Sequence, residues 1–183
     1  MDSADDDAHL VAAAQRRPAR FAALYDKYFP QVYRYIAYRV GSQQDAEDLT
    51  SQVFTEALDR LDGYRGQGTF AAWLFAIARH KVVDHYRQRG DVVSLESSSA
   101  QGLEAPGAAP EYWAVRNEQR RLLAWALQTL APEKQELLAL RFFAGLKYGQ
   151  VAQALGKSEA AVKMMVYRAL DELRARMLAA EEG

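Results

Sequence analysis

Cationic side chains cluster at the end of one predicted helix, where they could bind nucleic acid phosphates. Apolar residues recur every three or four positions from Phe70 to Ile77, which predicts a helix, and the following turns are basic. This basic end holds Arg79, Lys81, Arg87 and Arg89 with His80 and His85, and the candidate contacts among them are Arg79, His80, Lys81 and Arg87. Lysine and arginine supply affinity for a nucleic acid backbone, and Tyr64 and Tyr86 could stack on unpaired bases. A solvated helix end that complements the helix dipole is the alternative.

A glycine-rich loop precedes this helix. It runs from Asp62 to Thr69, and its larger side chains include Tyr64, Arg65 and Gln67. Such a loop can admit a close partner, but no strand precedes it and no Gly-Lys-Ser/Thr follows, which argues against a nucleotide phosphate loop. A surface turn without function is the alternative, and the neighbouring basic helix favours a binding role.

The helix before the loop is predicted to carry an acidic face. Gly41 ends the preceding helix and Ser42 can cap this one. Opposite its apolar stripe lie Asp45, Asp48, Gln52, Glu56 and Asp59. Like charges at these spacings repel by a few tenths of a kcal/mol each. The pattern therefore suggests an external basic partner, and a merely solvated face is the alternative.

A second cationic surface lies in the C-terminal third. Pro132 opens a helix that Gly145 ends, a short helix follows, and Gly156 and Ser158 suit the turn into a last helix. This is the spacing of a helix-turn-helix. On the side opposite the apolar stripe that starts at Val162, the candidate DNA contacts are Lys157, Ser158, Ala160, Ala161, Lys163, Met164, Tyr167 and Arg168. An ordinary helical hairpin is the alternative.

Composition bounds the remaining possibilities. The chain has 183 residues, half of them apolar, and a net charge of −1, which is typical of a folded chain with one or two small domains. It has no cysteine, so disulfides, thiolate metal sites and cysteine nucleophiles are excluded. The apolar runs are far shorter than the roughly 20 residues that cross a bilayer, and the N-terminus is acidic, so we expect a cytoplasmic protein without membrane insertion. We expect no catalytic residues, no metal ligands and no cofactor.

Charge divides the chain into three segments. Residues 1–90 hold 12 Lys/Arg and 12 Asp/Glu, residues 91–115 hold 4 Asp/Glu and no Lys/Arg, and residues 116–183 hold 11 Lys/Arg and 8 Asp/Glu. The middle segment is rich in Ser, Gly, Ala and Pro, a composition typical of a flexible linker. We therefore predict an all-α fold of two small helical domains that move independently in the free chain, the second a helix-turn-helix domain.

In their joint order these features resemble the extracytoplasmic-function (group 4) RNA polymerase sigma factors. The resemblance runs from about Phe21 to Met177. The motifs that carry it include Asp45-Ala46-Glu47-Asp48-Leu49, Gln52-Val53-Phe54, Tyr64-Arg65-Gly66, Trp73-Leu74, Ile77-Ala78-Arg79, Gln150-Val151-Ala152, Leu155-Gly156-Lys157-Ser158 and Arg168-Ala169. The resemblance implies a factor that binds core RNA polymerase and directs promoter-specific initiation, and that catalyses nothing itself.

The resemblance also implies a role for each surface. The docking face, Asp45, Asp48, Gln52 and Glu56, would bind the β′ clamp helices of RNA polymerase. The −10 surface, Tyr64, Arg65, Gln67, Arg79, His80, Lys81 and Arg87, would hold a base extruded from the promoter −10 element and its neighbours. The −35 face, the eight residues between Lys157 and Arg168 given above, would enter the major groove of the −35 element. The acidic linker would thread polymerase channels, the β subunit would be a further contact, and an anti-sigma factor is a candidate partner.

Some positions depart from the family, and two other functions fit part of the chain. Met164-Met165 stands where members often have Ser-Arg, Gln67 replaces a frequent acidic residue, and His80 a frequent Asn, so promoter preference cannot be borrowed from relatives. Residues 130–177 alone also resemble the DNA-binding domain of response regulators, which suggests a regulator that acts without polymerase docking. A helical adaptor without a nucleic-acid role is the third hypothesis. The regulator hypothesis leaves the acidic helix unexplained.

Overall fold

The computed structural model describes residues 3–89 and 110–181, and every regular element in these ranges is helical. The N-terminal half contains α1 (Ser3–Arg16), α2 (Phe21–Val40), α3 (Gln43–Arg60) and α4 (Phe70–Arg89). The C-terminal half contains α5 (Pro110–Gln128), α6 (Pro132–Leu138), α7 (Tyr148–Leu155) and α8 (Glu159–Glu181). The predicted all-α class is confirmed. Within the described ranges, no helix combines the length and the apolar character needed to cross a bilayer.

The predicted helix boundaries have the expected local geometry. Gly41 ends α2 in the left-handed conformation with φ of 68°, and the Ser42 hydroxyl accepts the backbone N–H of Asp45 at 3.3 Å. Gly156 ends α7 with φ of 63°, and the Ser158 hydroxyl accepts the N–H of Ala161 at 3.2 Å. Glycine turns and serine caps therefore fix the entry angles of α3 and α8, the helices that carry the docking face and most of the −35 face.

The helix before Gly145 ends in a wider turn than sequence suggests. After α6 the chain continues as a π-turn over Ala139–Phe143, in which the N–H of Ala144 bonds to the carbonyl of Ala139 at 3.0 Å. Single π-turns of this kind occur frequently at functional positions. Here the turn presents Phe143 toward the N-terminal half.

Helix α1 was not predicted from the sequence. Val11 and Ala14 pack in the core, and the buried Asp7 carboxylate accepts hydrogen bonds from Lys27 at 2.7 Å and from the Tyr28 hydroxyl at 2.5 Å. Burial, together with the bond to Asp7, raises the pKa of Tyr28. The acidic start of the chain therefore holds a carboxylate that ties α1 to α2.

The predicted linker 91–115 falls mostly outside the described residues. Helix α5 begins at Pro110, so the last residues of that segment are helical. Proline suits this position because the first helical N–H has no intrahelical partner.

The two halves are in contact, which differs from the expectation of independent domains. Tyr38 of α2 stacks on Phe143 with ring centroids 3.9 Å apart and planes inclined by 16°. Leu74 of α4 and Leu140 of the π-turn are both fully buried in one continuous hydrophobic core. The physical reason is that each half leaves apolar surface uncovered, and the other half buries it.

Candidate nucleic-acid interface

All eight residues of the −35 face are exposed, as the sequence predicts. The opposite stripe of α8 is buried, with Val162, Val166 and Ala169 at 0% exposure. The large apolar side chains Met164 and Tyr167 stand out at 54% and 61% exposure. Exposed apolar groups next to cations suit the floor of a major groove, where a thymine methyl is an apolar target.

The cations of the −35 face differ in their partners. Lys163 forms an ion pair with Glu159 at 2.9 Å and lies 5.8 Å from the centre of the Tyr148 ring. The hydrogen bond to Glu159 raises the pKa of Lys163. Lys157 and Arg168 form no ion pair with any described residue. These two cations are therefore ready to meet phosphates without breaking an internal contact.

The glycine-rich loop of the −10 surface is anchored by Tyr64. Its ring lies in an aromatic cluster with Trp73 and Phe70, with centroid distances of 5.2 and 5.9 Å, and its hydroxyl donates to the carbonyl of Gly68 at 3.1 Å. Tyr64 therefore shapes the loop. Arg65 and the other long side chain of the loop tip, Gln67, are exposed.

Helix α1 forms one wall of a cavity at this loop. The cavity of about 330 Å³ is lined by Val11, Gln15, Tyr64, Arg65, Gly66, Thr69 and neighbouring residues. The Gln15 amide donates to the carbonyls of Leu61 and Tyr64 at 2.9 and 3.0 Å, which fixes the start of the loop. Sequence analysis missed Gln15, because no local pattern links it to a loop about 50 positions away.

The basic side chains of α4 differ in exposure and in their partners. His80 and Arg87 are exposed, with Arg87 3.8 Å from Asp84. Lys81 instead forms an ion pair with Glu56 of α3 at 2.8 Å. Arg79 forms an ion pair with Glu136 in the C-terminal half. The suggestion that Tyr86 could stack on bases is wrong. That ring is buried, and its hydroxyl donates to the carbonyl of Arg39.

The docking face has internal cationic partners that sequence analysis did not anticipate. Glu56 contacts Lys81 and Arg60, each at 2.8 Å, and the hydrogen bond from Lys81 lowers the pKa of Glu56. Asp45 lies 3.8 Å from His85 of α4. Asp48 and Gln52 are exposed. The inferred repulsion along α3 is thus relieved in part by partners within the chain. The exposed centre of the docking face is the part that still predicts an external partner.

Each half of the chain matches a known protein family. Residues 24–92 match the family model for sigma-70 region 2, and residues 120–173 match the model for sigma-70 region 4. The ECF RNA polymerase sigma factor BldN of Streptomyces coelicolor is 40% identical over 185 residues, covering 96% of this chain and 69% of BldN. The RNA polymerase sigma factor YlaC of Bacillus subtilis is 31% identical, covering 87% of this chain and 92% of YlaC.

A solved structure resembles the fold over nearly its whole length. CnrH in complex with the cytosolic domain of CnrY superposes with a TM-score of 0.71 at 25% identity, covering 94% of this chain and 97% of that one. Helices α2 to α4 thus correspond to region 2, and the chain from the second half of α5 into α8 corresponds to region 4, while α1 lies outside the region 2 match.

Proposed function

This chain belongs to the ECF RNA polymerase sigma factors, which recognise promoters for RNA polymerase, and we propose that it does so through the docking face, the −10 surface and the −35 face. As a sigma factor it initiates transcription without catalysing a reaction of its own. The alternative of a regulator without polymerase docking, and that of an adaptor, leave the region 2 match at residues 24–92 unexplained.

The docking face is proposed to bind the β′ clamp helices of core polymerase. Its exposed centre, Asp48 and Gln52, offers a carboxylate and an amide to a basic partner, and Asp59 extends the acidic strip by about one turn beyond Glu56. Oppositely charged surfaces steer such encounters and fix their register. Region 4 is proposed to contact the β subunit, and the segment between the halves to follow the polymerase channels.

The −10 surface is proposed to take an extruded base in the cavity beside the loop. A volume of about 330 Å³ is at the small end of ligand pockets, which suits a single planar group. Arg65 and Gln67 at the loop tip can contact the base edge, and His80 and Arg87 on α4 lie along the path of the flanking strand. Removing a base from the stack costs a few kcal/mol, which contacts of this kind offset.

The −35 face is proposed to enter the major groove of a duplex. Ala160 and Ala161 let the backbone approach closely, while Lys157 and Arg168 are free to meet phosphates or guanine edges. Met164 adds an apolar contact where relatives often carry a serine. We expect it to favour a thymine methyl at the base it meets.

One observation carries the proposal that these surfaces act together. The Glu56–Lys81 ion pair joins α3 to α4 at 2.8 Å, so the helix proposed to dock on polymerase is fixed to the helix proposed to meet the −10 strand. Capture by polymerase would therefore place the −10 surface without further rearrangement inside region 2. We propose that the chain acts in the cytoplasm with the polymerase. An anti-sigma factor is a proposed partner, since CnrH was solved in complex with the cytosolic domain of CnrY.

Run-off transcription on a promoter library, with core polymerase and with or without this chain, tests the proposal. We expect promoter-specific transcripts that require the chain. Asp48→Lys should abolish polymerase capture in a pull-down, because it reverses an exposed charge without breaking the Glu56–Lys81 pair. Glu133→Lys is the matched control, an exposed acidic residue on α6 outside the docking face. Transcripts that do not depend on the chain, or equal capture by both variants, would overturn the proposal.

A further inference from the structure

Glu136 of α6 is the shared acceptor for three side chains of region 2. Its carboxylate accepts the Tyr35 hydroxyl at 2.8 Å and Arg79 Nε at 3.1 Å, and it forms an ion pair with Arg39. The Arg39–Glu136 pair is largely shielded from water, since the Arg39 side chain is 4% exposed and that of Glu136 is 14% exposed. Burial raises the pKa of Tyr35 to about 12, so its hydroxyl remains a donor.

Glu136 does not pair with all of the guanidinium donors around it. Two guanidinium groups face a single negative charge, and the buried Nε of Arg39 has no hydrogen-bond partner in the structure. A guanidinium offers five N–H donors in a fixed fork, which matches the oxygens of a phosphate as well as those of a carboxylate. A phosphate diester could therefore replace Glu136 and use donors that Glu136 leaves unpaired.

Region 4 covers the −10 side of region 2 in the same arrangement. The Gln153 side chain of α7 accepts both the backbone N–H and the hydroxyl of Thr69, at 2.9 and 3.1 Å. A Cβ built on Gly68 would lie 3.0 Å from the same Gln153 oxygen, so α7 sits directly on the loop. Arg79 also donates to the carbonyl of Ala154 at 3.1 Å. A DNA strand can bind the Thr69 end of this loop and the Arg79 donors only after region 4 moves away.

We propose that Arg39 and Arg79 form a site for a backbone phosphate of promoter DNA, and that Glu136 occupies this site in the free chain. The inference rests on the proposed −10 function, because Arg79 belongs to the −10 surface. It adds Arg39, which no pattern in the sequence singles out as a DNA contact. Docking of region 4 and binding of the strand then exclude each other, because both use the same two guanidinium groups.

The electrostatics favour an exchange of one anion for another. Removing Glu136 alone would leave the buried Arg39 cation unpaired, together with the partly exposed Arg79, which is unfavourable. A phosphate that takes its place restores the pairing, so the release of region 4 is coupled to the arrival of the strand. The free chain is thereby kept from binding single strands indiscriminately.

The test compares Glu136→Gln with Glu133→Gln in the full chain without polymerase. Glu133 lies on the same helix, is exposed and forms no ion pair with any described residue. Binding of a fluorescent single-stranded −10 oligonucleotide is followed by anisotropy over a range of salt concentrations. If the closed form holds about nine-tenths of the free chain, Glu136→Gln should bind about tenfold more tightly than wild type. Glu133→Gln should bind like wild type.

A second substitution in the Glu136→Gln background identifies the phosphate contact. Arg39→Gln should reverse the gain and lower the slope of log affinity against log salt by about 0.7, the value for one phosphate contact on a single strand. Because Arg39 is buried, Arg39→Lys provides a variant that keeps the charge. It should retain the slope while losing affinity, and circular dichroism confirms that each variant is folded.

The outcomes separate this inference from the proposed function. Equal oligonucleotide binding by Glu136→Gln and Glu133→Gln, or an unchanged salt slope in folded Arg39→Gln, would overturn the phosphate site even if the wild-type chain supports run-off transcription. Absence of promoter-specific transcription with the wild-type chain would instead overturn the proposed function. A tenfold gain that Arg39→Gln abolishes would support the site.

Discussion

The two surfaces proposed to bind DNA differ in how the chain presents them. The −35 face is built from a single helix and the turn before it, and all of its residues are exposed. The −10 surface is built from a loop and a helix, and three of its seven members are engaged within the chain: Tyr64 in an aromatic cluster, Lys81 with Glu56, and Arg79 with Glu136. Folding alone thus prepares the −35 face, whereas the −10 surface also requires the departure of region 4.

Exposure decides how readily each surface exchanges an internal partner for DNA. The Lys163–Glu159 pair is about half exposed on both sides, and such pairs contribute little because water screens them. The Arg39–Glu136 pair is buried, and removing one member leaves an uncompensated charge. Lys163 can therefore exchange Glu159 for a phosphate at a small cost in free energy. Arg39 stays paired with Glu136 until another anion replaces that carboxylate.

The largest expected effect tests whether the two regions share one core. Leu74 in region 2 and Leu140 in region 4 are both fully buried in the same cluster. Leu74→Ala and Leu140→Ala should each lower the free energy of unfolding by roughly 2–5 kcal/mol, because each leaves a cavity. In urea unfolding followed by circular dichroism, both should shift the same single transition.

The control for this prediction is Leu178→Ala, since Leu178 is 49% exposed near the end of α8. It should change the free energy of unfolding by about 0.5 kcal/mol or less. Two separate transitions, each shifted by only one of the core variants, would show that the regions are energetically independent.

The next effect concerns which surface each arginine serves. Arg168→Ala should weaken binding of the free chain to a duplex carrying the −35 element by about 1–3 kcal/mol, because an unpaired exposed cation is removed from the groove-facing side of α8. Arg87→Ala, also exposed, should leave duplex binding unchanged. Electrophoretic mobility shift at fixed salt measures both. Equal losses in the two variants would mean that the duplex does not distinguish the surfaces.

The fold was predictable where local chemistry determines it. The Gly41–Ser42 and Gly156–Ser158 pairs combine a left-handed glycine with a capping hydroxyl, and these local signals placed the starts of α3 and α8 correctly. Helix α1 escaped prediction because its key residue, Asp7, is stabilised by Lys27 and Tyr28, partners about 20 positions away. An acidic N-terminal stretch looks solvated unless those contacts are known.

Predictability of the candidate sites follows the same division. The six residues of the −35 face that lie on α8 were correctly predicted to be exposed, because helical periodicity alone determines which side of a helix is buried. The pairing of Lys81 with Glu56 and the burial of Tyr86 depend on how α2, α3 and α4 pack, which periodicity does not specify. Gln15 and Arg39 belong to the sites only through contacts between distant segments.

A smaller effect sharpens the contrast between closed and open region 2. Tyr38→Ala removes the ring that stacks on Phe143 across the two regions, a contact worth about 0.5–1.5 kcal/mol beyond burial. It should populate extended forms and enlarge the radius of gyration in small-angle scattering. Tyr33→Ala is the control, because Tyr33 lies on the same helix but stacks on Phe29 within region 2, with centroids 6.0 Å apart. An unchanged radius of gyration for Tyr38→Ala would mean that contacts other than the Tyr38–Phe143 stack hold the two regions together.

The smallest effect concerns the link between the docking face and the −10 surface. The hydrogen bond from Lys81 lowers the pKa of Glu56 from 4.5, so the folded state prefers the charged carboxylate. This stability is present above the unfolded pKa and is lost as the pH falls through the folded value. Glu56→Gln should therefore cost about 0.5 kcal/mol at neutral pH, and the difference from wild type should vanish well below pH 4.5. Urea unfolding across this range measures it, with Glu47→Gln, exposed on the same helix, as the matched control. A difference that persists at low pH would mean that Glu56 stabilises the fold by packing, and that its charge does not hold α3 to α4.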